Sequence, residues 1–261
     1  MEKLLNIPYT AFNDNWNLLQ QFLKRKGNPK YELVGSVNLF NRIDIIDLGN
    51  LVRVYGTMDL RFTSIKSLGT LEYVGGSLDL RSTQIQSLGN LVRVEHYLDL
   101  SDTSIKSLGN LQYVGKGFDL RWSLIKSLEN LEYVGGELDL RYTPIESLGT
   151  LEYVGGSLDL RSTQIQSLGN LVRVEHYLDL SDTSIKSLGN LQYVGKGFDL
   201  RWSLIKSLEN LEYVGGELDL RYTPIESLGK LQFVGNRIIL SDYLSNNLPQ
   251  EELNKFESYY I

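Results

Sequence analysis

The sequence predicts an α/β solenoid, in which short and similar turns of chain stack into one elongated body. Two observations support this prediction. Residues 71–150 are repeated as residues 151–230, and Thr150 and Lys230 occupy the one position that differs. Within each copy a shorter motif, seen first at residues 78–80 as Leu-Asp-Leu, returns every 20 residues. Because a fixed short period is the signature of stacked repeats, it outweighs the domain count that length alone suggests.

The composition argues against several classes of protein. The chain carries a net charge of −6, whereas a nucleic-acid-binding protein needs clustered Lys and Arg. It has no cysteine, which excludes disulfides, thiol catalysis and thiolate metal sites. No segment approaches the roughly 20 apolar residues of a membrane span, and the N-terminal apolar run is too short for a signal peptide. We therefore expect a cytoplasmic protein with no nucleic-acid or membrane partner.

Residues 1–30 do not follow the repeat and are expected to form an N-terminal helical cap. Four apolar residues in this segment share one face of a helix: Phe12, Trp16, Leu19 and Leu23. Asn13 or Asp14 is suited to cap the start of this helix, and Gly27 to end it. We predict a helix near residues 14–26 that covers the open end of the solenoid, because an uncovered first turn would expose its core.

A single turn shows how the repeat is expected to fold. Leu78 and Leu80 alternate with Asp79 and Arg81, which predicts a strand with its leucines buried and its charges outside. The segment 87–90, Ser-Leu-Gly-Asn, resembles one helical or 3₁₀ turn on the opposite side. Seven positions per turn are expected to face inward: Leu71, Val74, Leu78, Leu80, Thr83, Ile85 and Leu88. One turn cannot bury these alone, so stability must come from neighbours stacked about 4.8 Å apart.

The pattern Leu78-x-Leu80-x-x-Thr83-x-Ile85 resembles the leucine-rich repeat family, and the likeness extends over roughly residues 34–244. The resemblance implies a right-handed solenoid over residues 31–244. It would have a parallel sheet of about eleven short strands on the concave face, and short helical or 3₁₀ turns or loops on the convex face. The chain departs from the family where an inward Asn becomes Thr or Ser, as at Thr83 and Ser123. A hydroxyl donates one hydrogen bond where an amide donates two, so we expect a thinner ladder of inward hydrogen bonds.

Residues 245–261 leave the repeat again. Pro249 suits a first helical turn and Glu251 favours a helix N-terminus, while Leu248, Leu253 and Phe256 supply an apolar side. The sequence therefore predicts a C-terminal capping helix near residues 249–258.

The near-identity of the two 80-residue copies has two explanations, a recent duplication or an engineered insertion of a copied segment. Drift normally makes repeats differ, as the four turns within one copy do. We favour the engineered copy. The short threonine-bearing turn is similar to repeats of bacterial and phage proteins.

Four columns of side chains are expected on the outer face of the strands. Column one contains Thr57, Ser77, Tyr97, Gly117, Glu137, Ser157, Tyr177, Gly197 and Glu217. Column two contains Asp59, Asp79, Asp99, Asp119, Asp139, Asp159, Asp179, Asp199 and Asp219. Column three contains Arg61, Arg81, Ser101, Arg121, Arg141, Arg161, Ser181, Arg201 and Arg221. Column four contains Phe62, Ser82, Asp102, Trp122, Tyr142, Ser162, Asp182, Trp202 and Tyr222.

The charged columns predict a lattice. Aspartates stacked about 4.8 Å apart repel by about 1 kcal/mol per neighbour even in water, so the arginines two residues along are expected to neutralise them. A Ca²⁺ site is disfavoured, because the arginines already supply the positive charge and no EF-hand or glycine-aspartate repeat is present. We therefore expect no metal and no cofactor.

The exposed aromatic residues predict a binding surface. Rigid, amphipathic rings surrounded by charges are typical of interface hot spots. The candidate partner-binding residues are Tyr97, Arg121, Trp122, Arg141, Tyr142, Tyr177, Arg201, Trp202, Arg221 and Tyr222. The leading hypothesis is a non-enzymatic module that binds a protein or peptide through the concave strand face.

Alternatives remain open. The chain could be a structural or engineered scaffold with no selected ligand, it could self-associate as a homodimer, and a carbohydrate groove would use the same rings. No catalytic site is expected, because His96 lies in the bend before the strand, away from the outer face that carries Asp99 and Ser101.

Overall fold

The computed structural model describes residues 4–241 and, beyond them, residues 248, 249, 251, 252 and 256. The chain forms two compact units, Met1–Ile125 and Lys126–Ile261. Each unit is a parallel-sheet β-solenoid with turns of about 20 residues, and the two units together contain about ten turns. The prediction of stacked 20-residue repeats is therefore confirmed, whereas helix is nearly absent from the repeats.

The first unit begins with elements that precede the regular turns. They are β1 (Leu5–Pro8), a 3₁₀ turn (Tyr9–Phe12), α1 (Trp16–Arg25), β2 (Tyr31–Val34), β3 (Val37–Asn38), β4 (Leu51–Val54) and β5 (Met58–Asp59). Strand β1, which the repeat pattern did not predict, pairs in parallel with β2.

Helix α1 lies within the predicted range but is capped differently. The Asn15 side chain accepts a hydrogen bond from the Leu18 N–H at 3.1 Å and serves as the N-cap. Asn13 and Asp14 instead have left-handed backbones, with φ of 51° and 53°. The helix buries its apolar stripe, and the Gln20 amide donates to the Tyr31 hydroxyl at 3.1 Å. That the helix serves as a cap stays a prediction.

Each regular turn contains two strands of two residues, not the single strand that was predicted. The first strands are β6 (Tyr73–Val74), β8 (Arg93–Val94), β10 (Tyr113–Val114), β12 (Tyr133–Val134), β14 (Tyr153–Val154), β16 (Arg173–Val174), β18 (Tyr193–Val194), β20 (Tyr213–Val214) and β22 (Phe233–Val234). The second strands are β7 (Leu78–Asp79), β9 (Leu98–Asp99), β11 (Phe118–Asp119), β13 (Leu138–Asp139), β15 (Leu158–Asp159), β17 (Leu178–Asp179), β19 (Phe198–Asp199), β21 (Leu218–Asp219) and β23 (Ile238–Ile239).

The strands pair in parallel and in register. In the first unit the orders are β1-β2-β4-β6-β8-β10 and β3-β5-β7-β9-β11, and in the second they are β12-β14-β16-β18-β20-β22 and β13-β15-β17-β19-β21-β23. Asp79 pairs with Asp99, so every column of side chains continues from turn to turn within a unit. The set that carries the aspartates holds five strands in the first unit and six in the second, which agrees with the predicted number of about eleven.

A glycine bend separates the two strands of a turn. A Cβ atom on Gly76 would lie 2.6 Å from the backbone nitrogen of Thr57, and one on Gly75 would lie 2.7 Å from the Tyr55 carbonyl oxygen. The Gly75-Gly76 pair is therefore a bend, and both positions are glycine because the preceding turn of chain passes too close for a side chain there. The strand before this bend is not evident from the sequence, because only one of its two residues faces inward.

The segment 87–90 is not a helical turn, so that prediction is wrong. Ser87 forms a β-bridge with Ser107, and the Ser87 hydroxyl accepts a hydrogen bond from the Gly89 N–H at 3.1 Å. Gly89 has φ of +59°, a left-handed conformation that reverses the chain at once. Because the reversal needs only these residues, the opposite side of the turn is a loop.

The core matches the prediction. All seven inward positions of the turn that begins at Leu71 are buried, with relative exposures of 0–4%. The Thr83 hydroxyl donates to the Leu80 carbonyl at 2.7 Å. Because this bond lies within one turn, the threonines build no hydrogen-bond ladder between turns. At the equivalent positions of Ser123 and Ser203, the buried hydroxyl has no hydrogen-bond partner among the described residues.

The predicted C-terminal helix falls largely outside the described residues. Of that region, Leu248 and Phe256 are buried, and the Ser227 hydroxyl donates to the Glu252 carboxylate at 3.0 Å. In the part of the chain that is described, no helix is long and apolar enough to cross a membrane.

Candidate functional site

The aspartates and arginines of columns two and three form the predicted lattice, which we call the Asp–Arg strip. Arg61 binds Asp59 of its own turn, with Nη2 2.6 Å from Oδ2, and its Nε lies 3.3 Å from Asp79 Oδ2 of the next turn. Four further arginines bridge two turns in the same way: Arg81, Arg141, Arg161 and Arg201. Each guanidinium therefore neutralises two stacked carboxylates, which offsets the repulsion that in-register aspartates would otherwise feel.

The electrostatics of the strip depend on whether a turn has its own arginine. Burial raises the pKa of Asp59, but the hydrogen bonds and charge of Arg61 outweigh that effect and leave the pKa below its ordinary value. Asp99 and Asp179 lie in the turns where column three holds serine. Burial is the largest influence on these two carboxylates, and it raises the pKa of both above the ordinary value.

Serine replaces the arginine without restoring its charge. The Ser101 hydroxyl donates to Asp99 Oδ1 at 2.7 Å, and Ser181 donates to Asp179 at the same distance. Among the described residues, the guanidinium that binds Asp99 comes from Arg81 of the preceding turn, with Nε 3.1 Å from Oδ2. The strip is therefore interrupted once in each copy of the repeat.

The aromatic residues of column four, which we call the aromatic column, are exposed and held in an unusual backbone conformation. The column's aromatic members are Phe62, Trp122, Tyr142, Trp202 and Tyr222, with relative exposures of 48–58%. All five have left-handed φ values of 56–62°. For residues other than glycine this conformation costs about 1–2 kcal/mol, and bulky side chains adopt it rarely.

The second unit shows how these rings pack. Trp202 stacks on Tyr222, with ring centroids 4.1 Å apart and an interplanar angle of 11°. Each ring covers one face of its partner, and more than half of the surface of each residue remains exposed. The stack follows from the register, since residues 20 apart stand directly above one another on the strand face.

Tyr97 and Tyr177 belong to column one and have a different environment. A Cβ atom on Gly197 would lie 3.1 Å from the Tyr177 ring, which shows that the ring lies against this glycine of the next turn. The Lys196 ammonium lies 5.5 Å from the centre of the same ring, and Lys116 lies 5.6 Å from that of Tyr97. Within the second unit, Tyr177 makes no ring contact with Trp202 or Tyr222 among the described residues.

The candidate arginines are committed to the strip. Arg201 and Arg221 each hold an aspartate of their own turn at 2.6 Å, and Arg121 and Arg141 do so at 2.5 Å. Their side chains keep 30–42% of their surface exposed. They position the charge pattern beside the aromatic column, and the exposed surface of each is available to a partner.

A cavity of about 390 Å³ opens on the strand face of the second unit. Its floor includes Asp179 and Asp199, and its walls include Tyr177, Gly197 and Glu217. The cavity is present because Gly197 contributes no side chain to column one between a tyrosine and a glutamate.

The first strands carry a second column of aromatic rings, which we call the Tyr–Gly ladder. The sequence pattern alone did not predict it. In the second unit its aromatic members are Tyr133, Tyr153, Tyr193, Tyr213 and Phe233. Tyr133 stacks on Tyr153 at 4.9 Å, and Tyr213 lies between Tyr193 at 4.7 Å and Phe233 at 4.8 Å. The rings of Tyr153, Tyr193 and Tyr213 each lie over the glycine two residues along, about 3.2 Å from where a Cβ would stand on Gly155, Gly195 or Gly215.

A paired substitution in the sequence could have revealed this ladder. Where Arg173 replaces tyrosine, Glu175 replaces glycine, and the two form an ion pair at 2.6 Å. The Arg173 guanidinium also lies 3.5 Å from the centre of the Tyr193 ring. Tyr-Val-Gly and Arg-Val-Glu are therefore alternative ways to continue one column.

Ser101 is buried at 7% exposure, and its hydroxyl donates to Asp99 inside the strip, so the oxygen is shielded from a substrate at the surface. No cluster of three or more His, Asp or Glu side chains among the described residues is placed to hold a metal ion.

No model of a known protein family matches the chain, and no curated protein is similar to it in sequence. The 20-residue turns are compatible with a leucine-rich-repeat-like protein, and the likeness remains one of repeat pattern and solenoid architecture.

Proposed function

We propose that this protein is a non-enzymatic interaction module that binds a protein or peptide through the strand face bearing the Asp–Arg strip and the aromatic column. The anchors are the rings of Tyr97, Trp122, Tyr142, Tyr177, Trp202 and Tyr222. The arginines and aspartates beside them set the register of the partner. Since the face is written twice in the sequence, a partner with two matching segments gains avidity.

The backbone conformation of the aromatic column is the observation that supports this proposal best. Trp122 and Trp202 have φ of 60° and remain 58% and 57% exposed. Ser82 and Ser162 occupy the same position with φ of 56°, so the fold itself does not require a ring there. A large ring that is both strained and exposed is expensive for the folded chain alone, and interface hot spots are rich in tryptophan and tyrosine.

A peptide-display selection against the immobilised full chain tests the proposal. Peptides enriched on the wild type are then measured against the variant Trp122→Ser plus Trp202→Ser, which uses the residue that the chain itself places in this column. We expect the dissociation constant to rise at least about tenfold, the loss typical of one hot spot.

The matched control is Tyr55→Ala plus Phe233→Ala, which removes exposed rings from outside the aromatic column. This variant should bind the selected peptides as the wild type does. Unchanged affinity in the double tryptophan variant, with its circular dichroism and melting preserved, would refute the proposed binding face.

The alternative is a structural or engineered scaffold with no selected ligand, which associates with itself through the same rings. It is favoured by the observation that the strip and the ladder both serve contacts between turns. Light scattering separates the two: self-association predicts a dimer whose mass falls to that of the monomer in the double tryptophan variant, whereas the interaction module is monomeric in both.

A further inference from the structure

The interruptions of the Asp–Arg strip leave specific oxygen atoms short of a donor. In an ordinary turn, Asp79 Oδ2 receives Arg81 Nη2 at 2.6 Å and Arg61 Nε at 3.3 Å. At the interruption, the guanidinium nearest to Asp179 Oδ2 is that of Arg161, with Nε 3.3 Å away. Ser181 meets Oδ1 instead and brings no charge.

The carboxylate of the next turn, that of Asp199, also lacks one guanidinium. Asp199 pairs in register with Asp179, and among the described residues it is bound by the guanidinium of Arg201 alone. In an uninterrupted strip an arginine at position 181 would bridge these two carboxylates. Asp99 and Asp119 stand in the same relation across Ser101.

These carboxylates are accessible from outside. Asp99 and Asp179 have side-chain exposures of 25% and 27%, at the top of a strip whose other aspartates range from 7% to 23%. In the second unit the 390 Å³ cavity opens directly onto Asp179 and Asp199. The Tyr177 ring forms one wall and supplies an aromatic surface for an alkyl stem or a cation.

We propose that each interruption is a receptor for an arginine side chain of the partner, whose guanidinium completes the strip between Asp179 and Asp199 and, in the other copy, between Asp99 and Asp119. This inference names the partner chemistry of the proposed binding face and rests on that proposal. The resident arginines show the geometry, since a planar fork reaches two carboxylates of successive turns where a single ammonium reaches one point. A metal ion is a poorer occupant, because no described cluster offers three or more ligating side chains.

The test uses the full ¹⁵N-labelled chain and the capped tripeptide Gly-Arg-Gly as the probe. The controls are the same peptide with citrulline, which keeps the shape and loses the charge, and with lysine. Amide signals of Gly117 and Gly197 report on the receptors, and the indole signal of the buried Trp16 serves as an internal reference. We expect saturable shifts with the arginine peptide, weaker ones with lysine, and none with citrulline.

Two variants make the test specific. Ser101→Arg plus Ser181→Arg supplies the missing guanidinium from the chain itself and should abolish the shifts. Gln112→Arg plus Gln192→Arg adds the same charge at exposed positions immediately before first strands β10 and β18, and should leave the shifts intact. Equal shifts with citrulline or lysine, equal shifts with Ca²⁺ alone, or binding that survives Ser101→Arg plus Ser181→Arg would overturn the assignment.

The outcome is separable from that of the proposed function. Display peptides that lose affinity with the tryptophan variant, while the arginine tripeptide shifts nothing, would leave the binding face standing and remove the arginine receptor. Enrichment of arginine in those peptides, lost with Ser101→Arg plus Ser181→Arg, is the result expected if both are right.

Discussion

The Asp–Arg strip and the Tyr–Gly ladder solve the same problem in different ways. Both are columns of in-register side chains, so each residue stands directly over its counterpart 20 positions away. The strip joins turns by ion pairs of 3.1–3.5 Å, and the ladder joins them by ring stacking at 4.7–4.9 Å. The rings of the ladder also cover the backbone of its glycines, whereas the side chains of the strip make no such contact.

The two columns differ most where each is interrupted. In the ladder, Arg173 replaces the tyrosine and Glu175 replaces the glycine of the same turn. The two form an ion pair, and the Arg173 guanidinium packs on the Tyr193 ring of the next turn, so the column continues. In the strip, Ser181 replaces the arginine and no other described residue of the strip supplies the missing charge. The pKa of the partly buried Asp179 carboxylate is raised. An interruption that is repaired locally points to packing, whereas an unrepaired one on an exposed face points to an external ligand.

The ladder's glycines should be the most sensitive positions. Gly215→Ala would place its Cβ 2.1 Å from the Gly195 carbonyl oxygen, a backbone atom that cannot move without separating the turns. We expect the free energy of unfolding to fall by about 3 kcal/mol, measured by urea denaturation. Gly197→Ala is the control, because the close contact of its Cβ is with the Tyr177 ring at 3.1 Å, which can move aside, while the nearest backbone atom is 3.6 Å away. Equal losses in the two variants would contradict the distinction.

Salt should separate the two columns. Tyr213→Ala removes two ring contacts and should cost about 1–2 kcal/mol at any ionic strength. Arg161→Ala removes the ion pairs to Asp159 and Asp179, and should cost about 1 kcal/mol at low salt and clearly less in about 1 M NaCl. Urea midpoints of the two variants at both salt concentrations test this. A salt-dependent loss in the tyrosine variant would show that the ladder is not held by packing.

The smallest effect is expected from repairing the strip. Ser101→Arg plus Ser181→Arg should raise stability at neutral pH by about 0.5–1 kcal/mol, since each new pair is partly exposed. The sign with pH follows from the raised pKa of Asp99 and Asp179. Their folded pKa lies above the unfolded value of 3.8, so their ionised forms destabilise the fold at neutral pH, and that penalty disappears as the pH falls through the folded pKa.

The advantage of the repaired variant should therefore shrink on acidification towards the unfolded pKa. Urea midpoints over that range compare the variant with the wild type. An advantage that grows on acidification would contradict this account, because it requires the two carboxylates to have a lower pKa in the wild type than beside the added guanidiniums.

Much of the architecture was predictable because burial imposes a period. Leucines at fixed positions every 20 residues must face a shared interior, and the inward set from Leu71 to Leu88 followed directly. The Asp–Arg strip followed as well, since stacked carboxylates need a cation at that spacing. The first strands were missed because Tyr73 and Val74 show no alternation long enough to read, and the helical turn at residues 87–90 was wrong because Gly89 reverses the chain.

The sequence alone determined the period, the inward residues and the identity of each column, because those depend only on which side chains avoid water. The tertiary structure decided what the columns do to one another. Which arginine reaches a second aspartate and which rings stack on one another depend on the distance and register between successive turns. Those distances arise only when the turns stack, since no single turn contains both partners of such a contact.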